Sequence, residues 1–139
     1  MLSLLSRLDF LRLVGLSSAL PFLERFEVGL RPERLTCLWS GPVAGFQFHQ
    51  GHAVADDLRP GHLLLLAREP ENPYDDQAIA VYSASTKLGY VPRADNAVLA
   101  AMLDSGEYAL LGKVDEVLTK AQPWERLWFS IYHVRQAGG

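Results

Sequence analysis

Asn72-Pro73-Tyr74-Asp75 places an amide, an aromatic ring and a carboxylate side by side, with prolines at 70 and 73 stiffening the backbone. A tyrosine face can stack on a base, and an adjacent carboxylate can accept a hydrogen bond from a hydroxyl. The competing expectation is that Tyr74 folds back onto the body of the domain. The same loop gathers Glu69, Glu71, Asp75 and Asp76, donors suited to Ca²⁺ or Mg²⁺. It lacks the spacing and central glycine of an EF-hand loop. A solvated loop whose Asp and Asn cap local turns is the commoner outcome for such a cluster.

A second candidate is Gly89-Tyr90-Val91-Pro92-Arg93, where a strand feeds a helix start. Backbone N–H groups there favour an anion, and the helix dipole makes a lone cation at Arg93 slightly unfavourable. A bound phosphate would offset that; pairing with Asp95 or Glu71 would do the same. The third candidate is an aromatic strand face of Phe46 and Phe48, joined by Trp124, Trp128 and Tyr132. Aromatics on strands are mostly packing, so only some of these can form a stacking platform.

Catalytic constellations are hard to assemble. The chain has no phosphate-binding glycine loop, no nucleophile-elbow serine and no paired-histidine zinc helix. His49, His52, His62 and His133 are scattered, and the single cysteine, Cys37, excludes an internal disulfide and a two-cysteine zinc knuckle. No metal or other cofactor is expected.

The elements that must position these residues follow from periodicity. The 139 residues are 49% apolar and 21% charged, enough for one domain with an appended arm. Strands are expected at 36–40 and 43–49 with Gly41-Pro42 as a break, at 62–68, 78–83, 87–91, 108–117 and 127–134. The run Leu63-Leu64-Leu65-Leu66 reads as a strand buried on both faces. One helix follows Pro92, with Ala94, Ala97, Val98, Ala101 and Met102 as its apolar face and Gly106 just past its end. The expected fold is mainly β with one inserted helix, a small OB-like, partly closed barrel spanning 36–135, with a tail at 136–139.

Residues 1–35 precede it as a helical arm with a connector. Leu2, Leu4, Leu5, Leu8, Leu11, Leu13 and Leu16 form a broad apolar stripe, and Pro21 ends or kinks the helix. Segment 6–23 also resembles a degenerate twin-arginine export signal, with Leu8 where the second arginine should stand. A cytoplasmic location is favoured, with export or membrane tethering through this arm as the alternative. No stretch of eighteen apolar residues is present.

Charge constrains partners. Thirteen Lys and Arg oppose sixteen Asp and Glu, a formal charge of −3, and the excess acid lies in residues 41–139, which hold eight basic and twelve acidic groups. A protein that coats nucleic acid nonspecifically is normally basic.

The stretch Arg68-Glu69-Pro70-Glu71-Asn72-Pro73-Tyr74-Asp75-Asp76-Gln77-Ala78-Ile79-Ala80-Val81-Tyr82, followed by Leu88-Gly89-Tyr90-Val91-Pro92-Arg93 and preceded by Val43-Ala44-Gly45-Phe46, resembles a HIRAN domain. The resemblance covers about residues 36–135 and suggests a single-domain bacterial member. In that family the domain is a variant oligonucleotide-binding barrel, best understood in a fork-remodelling helicase of the SWI/SNF type. There it holds the free 3′-hydroxyl end of single-stranded DNA, a role in DNA repair.

The resemblance implies that Tyr74 stacks on the terminal base, Asp75 accepts the 3′-hydroxyl and Asn72 supports the pocket. Tyr90 takes a pocket position, Arg93 replaces a phosphate-binding lysine, and Trp124 closes the pocket in a looser alignment. Gln47 stands where the DNA-binding relative has an arginine, and Phe48 where it has a tyrosine. Losing that arginine removes a charge-assisted bond worth about 1.5–3 kcal/mol, so binding is expected to be weak. The ATPase, zinc and nuclease modules of larger relatives do not fit in this chain, so no enzyme activity is expected. The alternative function is an interaction domain that keeps the fold without DNA binding and meets a protein partner or membrane surface through the arm. A metal-dependent hydrolase using Glu69, Glu71, Asp75 and Asp76 is a third and remoter reading.

Overall fold

The computed structural model describes residues 34–46, 57–122 and 125–135. The arm, the export-like segment, the C-terminal tail and the candidates Gln47, Phe48 and Trp124 lie outside the described residues. Within them run six strands and one helix: β1 (Leu35–Pro42), β2 (Leu63–Arg68), β3 (Ile79–Ser83), β4 (Thr86–Tyr90), α1 (Asn96–Ser105), β5 (Leu110–Val117) and β6 (Leu127–Val134). They form a six-stranded sheet in the order β1-β6-β5-β2-β3-β4, and every paired neighbour is antiparallel.

Strand β2 holds the middle of the sheet. Its residues Leu64, Leu65, Leu66 and Ala67 are all buried, as expected for a continuous apolar run covered on both faces. Strand β6 follows its alternation: Leu127, Phe129 and Ile131 enter the core, and Trp128 faces out. Ser130 is nevertheless buried, and its hydroxyl shares hydrogen bonds with Ser40 and Asp115. These residues pack with Val43, Phe46, Ile79, Val81, Leu88 and Val91 into one core.

Several expected boundaries moved. Gly41-Pro42 does not break the first strand, which runs through to a Pro42–Trp128 pair. Pro42 is the last residue of an outer strand, where a missing N–H costs little. Gly41 serves packing: a Cβ there would lie 2.5 Å from Cζ2 of Trp39. The β3–β4 turn is two residues, with Ala84 at φ 51°, a conformation its sequence does not advertise.

The helix face also differs. Arg93–Asp95 form a 3-10 turn, and α1 begins only at Asn96. Its buried residues are Asn96, Leu99 and Ala100, while Val98 is 72% exposed and Ala94, Ala97 and Ala101 also face solvent. An alanine-rich helix offers two faces of similar apolarity, and the larger Leu99 decides between them. Gly106 ends the helix as expected, at φ 72° with its N–H bonded to the Leu103 carbonyl.

One contact joins the ends of the sheet. Beyond β1, Ala44 exchanges both backbone hydrogen bonds with Tyr90 of β4, at 2.8 Å each way. The sheet therefore curls until its first strand's extension meets its last. Register shifts at Cys37/Trp39, Val81/Tyr82 and Val114/Glu116 supply local twist. Gly89 makes the junction possible. Its φ is 151°, and a Cβ there would overlap the Ala44 carbonyl oxygen and lie 2.7 Å from Cγ1 of Val43. Gly89→Ala should therefore destabilise the domain by at least about 1–3 kcal/mol. Urea denaturation checks this, and an unchanged midpoint would show that the junction contributes little.

Candidate functional site

The β2–β3 connection, residues 69–78, is built from three consecutive turns. Backbone bonds Asn72 N to Glu69 O (3.0 Å), Asp75 N to Asn72 O (3.3 Å) and Ala78 N to Asp75 O (3.1 Å) close them in succession. Pro70 and Pro73 each occupy the second position of a turn, where their fixed φ is already correct. The first residues of the latter two turns add side-chain bonds: Asn72 Oδ1 accepts from Tyr74 N, and Asp75 Oδ1 from Gln77 N, both at 2.9 Å. The expectation that Asn and Asp cap this loop therefore holds.

Arg68 straps the loop from the end of β2. Its guanidinium donates to the carbonyls of Ala78 (2.6 Å) and Asp76 (2.8 Å) and pairs with Asp104 of α1 (2.9 and 3.2 Å). On this scaffold Tyr74 stands 85% exposed, so it does not fold back onto the domain.

Beside the loop lies an open cleft of about 610 Å³ lined by residues 68–74 and Tyr90. Glu69 organises its wall. Oε2 accepts from Lys87 Nζ at 2.6 Å, and Oε1 from Tyr90 Oη at 2.9 Å and Asn72 Nδ2 at 3.1 Å. Lys87 also donates to Tyr90 Oη at 3.1 Å, and its ammonium sits 5.0 Å from the Tyr90 ring centre. Burial pushes the Glu69 carboxyl up, but the bonds from Lys87, Asn72 and Tyr90 outweigh it and hold the pKa below the ordinary value. Burial likewise disfavours the Lys87 charge, and the bonds to Glu69 and Tyr90 outweigh that and raise its pKa. The Tyr90 phenol is pushed up, chiefly by burial.

Asp75 looks toward the helix start. Its Oδ2 accepts from Asn96 Nδ2 at 2.8 Å. The Gln77 N–H does most to lower the Asp75 pKa; burial opposes it, while the Asn96 bond and the charges of Arg93 and Arg68 add to it. Arg93 is exposed and, among the described residues, makes no hydrogen bond or ion pair, so it pairs with neither Asp95 nor Glu71. Asp95 precedes α1 but does not cap it; its Oδ2 accepts from Trp39 Nε1 at 3.1 Å.

Asn72, Tyr74, Asp75, Tyr90 and Arg93 thus gather around one loop and the neighbouring helix start. Of the aromatic strand face, the structure removes Phe46 from any stacking role, and Phe48 and Trp124 lie outside the described residues. Phe46 is core, only 1% exposed, while Trp128 and Tyr132 lie on β6. Among the described residues no group of three or more His, Cys, Asp or Glu is placed to hold a metal ion. No helix among them is long and apolar enough to cross a membrane.

The fold is a small, mainly antiparallel sheet with one short helix, and it presents an exposed tyrosine, a carboxylate and an exposed arginine on a stiff loop and helix start. The HIRAN domain family matches residues 38–133, and the chain belongs to that family of nucleic-acid-binding modules. A crystal structure of a protein from Lactobacillus plantarum is similar, at 31% identity and TM-score 0.64, covering 73% of this chain and 97% of that one. The crystal structure of the HIRAN domain of human HLTF shares the fold at 18% identity and TM-score 0.57, covering 77% of this chain and 84% of that one. No curated protein matches the chain.

Four residues that position the site escaped the reading of the sequence as site residues: Arg68, Lys87, Asn96 and Asp104. Arg68 carried a signal, a charge directly ending an apolar strand. The others act through partners 18, 21 and 36 positions away. Because the folded Glu69 pKa lies below its ordinary 4.5, its contribution to stability is full above that value and lost as pH falls through the folded value. Glu69→Gln should therefore flatten the loss of stability on the acid side of pH 4.5 while lowering stability at neutral pH. Thermal melts between pH 3 and 7, on the order of the carboxylate range, test this; parallel curves for the two proteins would refute it.

Proposed function

We propose that the domain holds the 3′-hydroxyl end of single-stranded DNA as a non-enzymatic binding module, on an OB-like curled sheet. The observation that carries this reading is the exposed Tyr74, one position before an Asp75 carboxylate held by Gln77 and Asn96, with the exposed Arg93 close enough to lower the Asp75 pKa. The terminal base stacks on Tyr74. The 3′-hydroxyl donates to Asp75, whose two oxygens each retain an acceptor position beyond the bonds from Gln77 and Asn96. Arg93 meets the adjoining phosphate.

Asn72 and Tyr90 form the wall of the pocket. The family resemblance adds Gln47, Phe48 and Trp124, which lie outside the described residues, as further candidates for contact with the strand, with Gln47 a neutral replacement for a charged phosphate contact. Family membership supports the nucleic-acid part of this reading. The acidic balance of residues 41–139 favours recognition of an end, which needs few contacts, over coating of a backbone.

Fluorescence anisotropy with one short strand, ending in 3′-hydroxyl or 3′-phosphate, tests the proposal. The hydroxyl strand should bind more tightly, because a phosphate would face the Asp75 carboxylate. Tyr74→Ala should weaken it by about 1–3 kcal/mol, and Asp75→Ala should erase the preference. Arg93→Ala should weaken both strands alike. With one cation engaged, log affinity should fall with log salt at a slope of about −1 or shallower. Equal binding of the two strands by the wild type would overturn end recognition.

A further inference from the structure

We propose that Asn96 is a positioning residue for the strand end: its buried amide fixes the Asp75 carboxylate beside Arg93 and so sets the discrimination between a 3′-hydroxyl and a 3′-phosphate. This inference rests on the reading of the pocket given above and concerns a residue that touches no ligand in it.

Asn96 opens α1 and is 1% exposed, next to the buried Leu99 and Ala100. Asparagine is a poor residue for this place. It is a mediocre helix former, and its Oδ1 is buried with no hydrogen-bond partner among the described residues. A buried amide with an orphaned oxygen costs free energy that an apolar side chain would avoid. Its one side-chain hydrogen bond is from Nδ2 to Asp75 Oδ2, at 2.8 Å. The orientation is fixed by chemistry. A carboxylate only accepts, so turning the amide over would set two oxygens against each other.

That single bond has a geometric consequence. Gln77 N holds Asp75 Oδ1 from within the loop, and Asn96 holds Oδ2 from the helix. Two bonds from two elements stop the carboxylate from rotating. Arg93 lies three positions before Asn96, on the turn leading into α1. Asn96 therefore fixes the acceptor on one element relative to the cation on the other. The charged groups acting on Asp75 are Arg93 from that turn and Arg68 from β2, the latter paired with Asp104.

The test follows the Asp75 carboxyl carbon and the Asn96 side-chain amide protons by NMR through an acid titration of the full chain, beside strand binding. In the wild type one Asn96 amide proton should shift with the Asp75 midpoint, a readout that needs no variant to fold. Asn96→Ala should raise the Asp75 midpoint and cut the 3′-hydroxyl over 3′-phosphate preference by about tenfold, with affinity for the 3′-phosphate strand held or increased. Asn96→Ser, which keeps a shorter donor, should recover part of both.

An Asn96 amide proton indifferent to the Asp75 titration, or a midpoint or preference unchanged in Asn96→Ala, would overturn the proposal. A wild type without any 3′-hydroxyl preference would overturn the end-binding reading and the specificity role with it. The Asp75 titration would then still decide separately whether Asn96 holds the carboxylate.

Discussion

The Glu69 carboxylate is the node on which the rest of the site depends. It sits at the end of β2 and gathers donors from Lys87 and Tyr90 at β4 and from Asn72 in the loop. A half-buried carboxylate is unfavourable alone, and removing any one donor leaves the others holding an under-satisfied charge. The network is consequently cooperative. It sets the side chain of Tyr90, whose backbone is also the partner of Ala44 where the sheet curls closed. It also anchors Asn72, whose Oδ1 receives the N–H of Tyr74. The exposed ring is thus two hydrogen bonds away from the charge that organises the wall behind it.

Legibility in the sequence tracks the range of the interaction. Period-two alternation named β6 to the residue, and the leucine run named the central β2, because burial of adjacent positions is written locally. Gly106 was legible because a helix stop needs a left-handed residue at one place. Gly41-Pro42 misled because breaker residues are tolerated at the end of an outer strand. The helix face misled because alanine says little about which side is covered. The loop's own turns were visible in its Pro, Asn and Asp spacing. The Arg68–Asp104, Asp75–Asn96 and Trp39–Asp95 links were not, since each crosses between elements whose relative placement only the folded core decides. The family resemblance supplied what local pattern could not, namely that the tyrosine loop and the Tyr90–Arg93 segment come close together in the fold.

The acidic excess of the domain is not removed by its internal pairs, since each carboxylate bound to Lys87 or Arg68 takes a cation with it. Glu69 and Asp104 are consumed by Lys87 and Arg68, and Asp95 by Trp39, so these carboxylates serve the scaffold. Arg93 remains exposed at the helix start. A domain of this kind gains little from long-range attraction and relies on the fit of a few groups at short range.

Tyr90 ends up with two employments, its peptide group stitching the curled sheet together and its phenol walling the cleft. Occupancy and architecture therefore share a hinge pin. A ligand that seated against that wall and needed the seam intact would add its binding free energy to the stability of the seam. By the same linkage, a substitution that strained the seam would weaken whatever seats against Tyr90, even without touching the cleft itself.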